Sequence, residues 1–351
     1  MAETARKACI VAIVVGAVVV AALALWKLRL LIALLFLAFI VAAAMRSGIE
    51  RLKARGVPRG AGLALHYLVL IAAVVALVAI AVPVAAEQVT EAVPEQQSEL
   101  REEAREATGF RHDILVAVRD GLERIPSRSD LADPEVGLLG IEIAVGILFV
   151  LASAAYWIFE RDRAVDLVTS LLPRPRRRVV RATWDLIDLK LGAYVRGQAL
   201  LIGLVAIVLS STFWLIGLPY WLLVGVFAGV VEIIPVIGPL LAGALAVGVG
   251  LTESVEVAVL AGAAVLIVRL LEDYVVIPRV LGDAVGLSPL LVLVSVSATA
   301  LLFGEFAVLL AIPLAAVIGT LVEVVVLEKD PEEEEVPTVI FAAKEAETTS
   351  A

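Results

Sequence analysis

Glu232 lies in the stretch VVEIIPVIGPLLAG, Val230–Gly243, inside the apolar run Trp221–Gly250, and Pro235, Gly238 and Pro239 follow it closely. A carboxylate at bilayer depth has to be protonated, paired with a cation, or open to a polar cavity. Each proline removes a backbone donor and clashes with the preceding turn, so two prolines around a glycine break a helix there. The chemistry on offer is reversible binding of a proton, a cation or a polar solute by one carboxylate beside freed backbone carbonyls. A second group, Arg269, Glu272 and Asp273, stands in VLIVRLLEDY. Its spacings of three and four place the arginine and both acids on one helix face. Arg269 is thus a candidate cationic partner for Glu232, and the group reads equally well as ordinary interfacial charge. Pro278, Arg279, Gly282, Gly286 and Pro289 punctuate the segment after it, the expected gate or hinge. Tyr194 and Gln198, with Ser295 and Thr299, are candidate pathway residues. Hydroxyls such as the last two more often bond their own helix backbone.

These groups need helices to hold them. The chain has 351 residues, 61% of them hydrophobic, with a mean hydropathy of +1.01. That is far above the apolar share of a soluble domain. Runs of roughly 20 apolar residues, enough to cross about 30 Å of hydrocarbon, recur along the chain. The expected fold is an all-α polytopic integral membrane protein of about eight transmembrane helices. Residues 1–82 hold the first three, beginning with a retained hairpin, 83–137 an external amphipathic helical segment, 138–327 the transport core, and 328–351 an acidic disordered tail. Later spans are expected near 138–159, 198–218, 255–271, 289–303 and 306–327.

A straight helix over Trp221–Gly250 would be roughly 45 Å long, too long for the hydrocarbon without strong tilt. Split at Ile234–Pro239 it becomes two half-helices, as one broken span or a re-entrant hairpin. Irregular backbone at that depth is tolerated only when buried in protein or lining a cavity. Gly238, Ala242, Ala246 and Gly250 recur every four residues, and Gly225 and Gly229 do the same. Small residues so spaced let another helix approach closely.

Charge supplies an orientation. The segments Arg46–Gly60 and Glu160–Lys190 read as basic loops, which places them in the cytoplasm with both chain termini. The segment after the third span is then external. From Glu87 to Ile125 its apolar residues keep a helical period opposite a face rich in glutamate, a helix packed on its own membrane domain or between subunits.

The segments YVRGQ (Tyr194–Gln198), EIIPVIGP (Glu232–Pro239), EDYVVIPRVLGDAVGLSPLLVLVS (Glu272–Ser295) and LLAIPLAAVIG (Leu309–Gly319) resemble the autoinducer-2 exporter-like transporter family. The resemblance covers most of the chain. It implies an inner-membrane permease of roughly eight helices with a hydrophilic external segment after the third, assembled as a homo-oligomer in the lipid bilayer. It implies a small-molecule or ion substrate: the signalling solute autoinducer-2 for some members, sodium or lithium exchanged for protons for others.

The residues themselves exclude several classes. Cys9 is the lone cysteine, which rules out a disulfide framework or a multi-cysteine metal motif. The net charge of −9 gives no nucleic-acid surface. His66 and His112 are isolated, so no nucleophile–histidine–acid set is available and no enzyme is expected. No phosphate-loop motif, and hence no nucleotide motor or cofactor, is present in the chain. The leading expectation is a secondary exporter of a small solute driven by the proton gradient. The alternatives are a cation/proton antiporter and, further off, a membrane scaffold.

Overall fold

A computed structural model describes residues 2–72, 75, 134–234, 237–276 and 289–334, and among these there are helices and short connections but no strand. In chain order the helices are α1 (Ala2–Lys27), α2 (Arg29–Ala54), α3 (Arg59–Ala72), α4 (Pro134–Ser170), α5 (Arg174–Leu215), α6 (Trp221–Val231), α7 (Ile237–Glu253) and α8 (Val255–Leu271). A π-helical turn, Glu272–Val276, extends α8; α9 (Pro289–Phe303), a 3-10 turn (Glu305–Leu310) and α10 (Ala311–Val325) complete the order. Among the described residues, four stretches are long and apolar enough to cross a membrane: Arg29–Ala54, Gly140–Ser170, Arg174–Leu215 and Phe306–Val325. Shorter apolar helices stand between them. The chain is an all-α membrane protein. The external helix expected at Glu87–Ile125 lies outside the described residues.

Two expectations are corrected. The first two apolar runs do not fold back as a hairpin. Leu28 donates to the Ala24 carbonyl and accepts from the Ile32 amide, both at 2.9 Å, so the helical ladder passes through the only residue between α1 and α2. The reason is local: Trp26-Lys27-Leu28-Arg29 contains no glycine, proline or asparagine to turn the chain. Instead the Arg29 guanidinium lies over the Trp26 ring, 4.7 Å from its centre. The cytoplasmic N-terminus expected from that hairpin loses this support.

The second correction concerns the basic segment Glu160–Lys190, which is not a loop. α4 runs on to Ser170 and α5 starts at Arg174, with only Leu171–Pro173 between them. At 42 residues α5 is about 63 Å long, twice the hydrocarbon thickness, so its charged half projects well beyond the bilayer. Arg177 ties the joint, donating from Nε to the Leu172 carbonyl and from Nη2 to the Ser170 carbonyl, each at 3.0 Å. These are carbonyls that the end of α4 leaves without a helical partner.

The part of the fold that frames the broken run is a bundle of α5, α6, α7 and α8 around one apolar cluster. Leu209, Phe213, Val224, Ala228, Ala242, Ala246, Ala261 and Val265 form its buried centre. After α5 the chain reverses through Gly217, whose φ of +74° suits glycine, and Tyr220 at φ +55°. α6 then packs against α5 so closely that a Cβ on Gly225 would stand 2.6 Å from Ser210 Cα. One on Gly229 would stand 2.6 Å from the Ile202 carbonyl oxygen. The pairing of 225 with 210 and 229 with 202 makes the two helices antiparallel. α7 and α8 pair likewise, Gly250 lying against Ala258 and Gly262 against Val247. The Ser254 hydroxyl caps α8 by accepting from the Val257 amide at 3.1 Å. The small residues of α6 and α7 thus serve helix packing.

Candidate functional site

α6 stops at Val231, where the break begins. Glu232 and Ile233 form a turn, with the Ile233 amide donating to the Val230 carbonyl and the Ile234 amide to the Val231 carbonyl at 2.9 Å. α7 resumes at Ile237, and the Gly238 amide donates to the Ile234 carbonyl at 2.8 Å. Gly238 sits so close to the end of α6 that a Cβ there would be 2.1 Å from the Val231 carbonyl oxygen. Only glycine fits, which explains its place between the prolines. Ala228 and Ala242, four residues outside Glu232 and Gly238 on either side, line the same narrow cavity. α7 therefore folds back along α6. Pro239 lines that cavity too, whereas Pro235 lies outside the described residues.

Into this cavity point the charged residues of the break and of α8. Glu232, Arg269 and Glu272 all line it, with Val205 and Leu209 from α5 behind. Arg269 Nη1 donates to Glu232 Oε1 at 2.8 Å, across 37 residues of sequence. Its Nη2 meets Asp273 Oδ1 at 2.9 Å, and Nη1 lies 3.9 Å from Glu272 Oε2. One guanidinium thus faces three carboxylates. Glu232 is 9% exposed and Glu272 3%, so the cluster is buried at its centre. Glu272 Oε1 is buried without a hydrogen-bond partner among the described residues. A buried acceptor left in this way is costly unless a donor, water or ion reaches it. Gln198, from the middle of α5, donates its side-chain amide to the Glu232 carbonyl at 3.2 Å. The backbone carbonyl at the break and the adjacent carboxylate are therefore held from two different helices.

Other candidates lie elsewhere. Tyr194 is buried one turn before Gln198 on α5. Thr299 is buried and Ser295 half-buried on α9, which packs against the 3-10 turn, α10 and α2. The structure does not bring these two hydroxyls to the break. Pro289 opens α9, and Pro278, Arg279, Gly282 and Gly286 lie outside the described residues.

A second buried charge network has no counterpart in the sequence reading. Asp188 on α5, 5% exposed, accepts from Arg161 Nε of α4 at 2.8 Å and from Arg46 Nη1 of α2 at 2.6 Å. Arg161, 7% exposed, also donates to Asp185, and Arg46 Nε donates to Glu50 Oε1 at 2.8 Å. Arg59 of α3 stands 3.6 Å from Asp162 of α4. Stacked Trp157 and Trp184, with Phe39 edge-on to Trp157, wall the network on its apolar side. The one signal in the sequence is Asp185 and Asp188 in WDLIDL, two acids three residues apart among large apolar side chains.

The model of the AI-2E family transporter family matches residues 10–327. The chain belongs to that family. It is similar to YrrI of Bacillus subtilis, provisionally named a transport protein, at 27% identity over 52% of this chain and 53% of that one. It is also similar to YueF of the same organism, provisionally named likewise, at 31% identity over 46% and 44% of the two chains. PerM of Escherichia coli K12, provisionally named a permease, is 28% identical over 53% of each chain. The matched region spans about half the length of these relatives. Spanning helices and family membership together make this a multi-pass membrane protein.

Proposed function

We propose that the protein is a secondary transporter that exports a small polar solute, autoinducer-2 or a related signalling molecule, at the expense of the proton gradient. The observation that carries this reading is the Glu232–Arg269 pair at the break between α6 and α7. Discontinuous helices with free backbone groups are where secondary transporters bind solutes and coupling ions. A carboxylate held by one arginine that also faces Glu272 and Asp273 can exchange that partner when it takes up a proton. Gln198 and the carbonyl of Glu232 supply the neutral polar contacts that a hydroxylated solute needs. The segment from Asp273 to Pro289 then acts as the cytoplasmic gate. Assembly as a homo-oligomer in the inner membrane, with the C-terminus cytoplasmic, belongs to the same reading.

One observation favours a second reading, a sodium or lithium/proton antiporter. Three carboxylates share one arginine, and Glu272 Oε1 stands without a partner among the described residues. An excess of buried negative charge suits a cation. The experiment that separates the two uses the purified protein in proteoliposomes under an imposed proton gradient. Autoinducer-2 flux and sodium-dependent proton movement are read in the same preparation. Solute flux without sodium dependence supports the exporter. Sodium-dependent proton movement without solute flux assigns the protein to the antiporters, and neither activity refutes both.

A further inference from the structure

The first residues of the acidic C-terminal segment lie on α5. After α10 the chain turns back, with the Leu327 amide donating to the Val322 carbonyl and the Lys329 amide to the Glu323 carbonyl, each at 3.1 Å. Lys190 of α5, whose side chain is only 13% exposed, then bridges Glu334 at 2.8 Å and Glu323 at 3.5 Å. Twelve residues towards the start of α5, Arg178 grips Glu332 with both arms of its guanidinium, Nε to Oε1 at 2.8 Å. Pro331, just before Glu332, is buried, and the Asp330 carboxylate caps the turn by accepting from the Glu332 amide at 3.0 Å. A tail of this composition would otherwise stay solvated, because it has little apolar surface to bury.

α5 is also the helix that reaches the break. From Lys190 it is eight residues, about 12 Å along a rigid helix, to Gln198 and its bond to the Glu232 carbonyl. Between them Arg196 Nη1 ties α5 to α2 through Ser47 Oγ at 3.0 Å. The tail contacts are different in kind from these inner ones. The Arg178–Glu332 pair is largely solvated, its side chains 75% and 46% exposed, and exposed pairs are weak and screened by salt. The Lys190–Glu334 pair is less exposed, its side chains 13% and 26% exposed, so the outer anchor is the one that salt releases first, without unfolding the helix beneath it.

We infer that the basic cytoplasmic half of α5 is a docking surface for an acidic peptide, and that its occupant is this chain's own segment 328–334. Seated, the segment is a strap that fixes the cytoplasmic half of α5 to the end of α10, and so restrains the helix that holds the broken backbone. Released, it removes the ion-pair link between α5 and the end of α10 and leaves α5 held by Asp188 and Arg196 on its cytoplasmic side of the break. This inference rests on the contact between α5 and the break. It is independent of which solute or ion crosses there, and its test measures no transport.

The test uses the full chain in liposomes in a Cys9→Ser background. Spin labels are placed at Leu189→Cys and Glu333→Cys, both exposed positions beside the anchors. A short, narrow distance distribution is expected at low salt, with a broad one at high salt or in Glu332→Gln/Glu334→Gln. The same distribution in parent and double variant overturns the docking. Arg178→Glu should also broaden it, and Arg178→Glu/Glu332→Arg should restore it; failure to restore overturns the assigned pair. The restraint on the break is read separately from the rate of thiol labelling at Ile234→Cys. A several-fold change on neutralising Glu332 and Glu334 is expected, and an unchanged rate shows that the strap does not act on the break.

Discussion

At Asp188 one carboxylate receives an arginine from each of two other helices, Arg46 of α2 and Arg161 of α4. At Glu232 one arginine, Arg269, is divided among three carboxylates, two of which follow it on the same helix. Both groups are buried and both are anchored on α5, through Asp188 and through Gln198. The first joins α2, α4 and α5 with cations facing anions in several bonds at once, against a wall of aromatic rings. It is a clamp, and a change of charge there would cost the packing of three long helices. The second leaves negative charge in excess at a place where the backbone is already interrupted. Charge can be exchanged there without dismantling a helix. Buried charge alone therefore does not mark a transport site; the balance of cations against anions, and whether the backbone beneath them is interrupted, separate a brace from a site that can respond.

The largest effect is expected at the clamp. Asp188→Ala leaves Arg161 buried without its main partner, a change that costs about 3–5 kcal/mol in comparable buried pairs. A drop of many degrees in the unfolding temperature of the purified protein is expected; an unchanged temperature would reduce the clamp to a surface feature. Next comes the close approach that brings α6 onto α5. Gly229→Val places a side chain against the Ile202 carbonyl and Ala206, and overpacking of that kind costs about 1–3 kcal/mol. Gly203→Val, with open space around it, should leave the unfolding temperature near wild type, and equal losses at both positions would contradict the assigned interface.

At the break the expected effect on stability is smaller. Glu232→Gln keeps a neutral acceptor for Arg269, which also retains Asp273, so the loss is that of one charge-assisted hydrogen bond weakened to a neutral one, about 1–2 kcal/mol. A loss as large as that at Asp188 would erase the contrast between the two regions. The smallest effect concerns the tail. The hydrogen bond from Arg178 holds the Glu332 carboxyl below the usual carboxylate range. Its contribution to docking is therefore present above the pKa of the free side chain and is lost as pH falls through the lower, docked value. The Leu189–Glu333 label distance should stay short from neutral pH to below about pH 4.3 before it broadens. Broadening at higher pH would contradict the pairing.

The break was legible because proline, glycine and a lone acid in an apolar run are local signals, and each acts through its own backbone. Arg269 was visible as a candidate partner for Glu232 because few other cations stand in apolar surroundings. The clamp was not legible, since Arg46 and Asp188 are 142 residues apart and nothing local to either marks the other. The projecting halves of α4 and α5 look like a loop by their charge, and their helical period is the weaker signal. ERDRAVDLV and WDLIDLK both carry apolar residues at helical spacing. The hairpin at Lys27 is expected from two apolar runs parted by Trp26–Arg29, although no turn-forming residue stands there. Composition likewise made the tail a solvated segment, and only folding places Lys190 and Arg178 opposite its acids.

The central claim is that solute passes where Glu232 meets Arg269, and its most direct test is flux through proteoliposomes of wild type and Glu232→Gln side by side. Equal reconstitution and nearly equal unfolding temperatures are required of the two proteins. The predicted result is that Glu232→Gln loses autoinducer-2 flux, or sodium-dependent proton movement if that is the wild-type activity, while remaining folded. Wild-type flux in Glu232→Gln would contradict the account and return the broken run to a packing role.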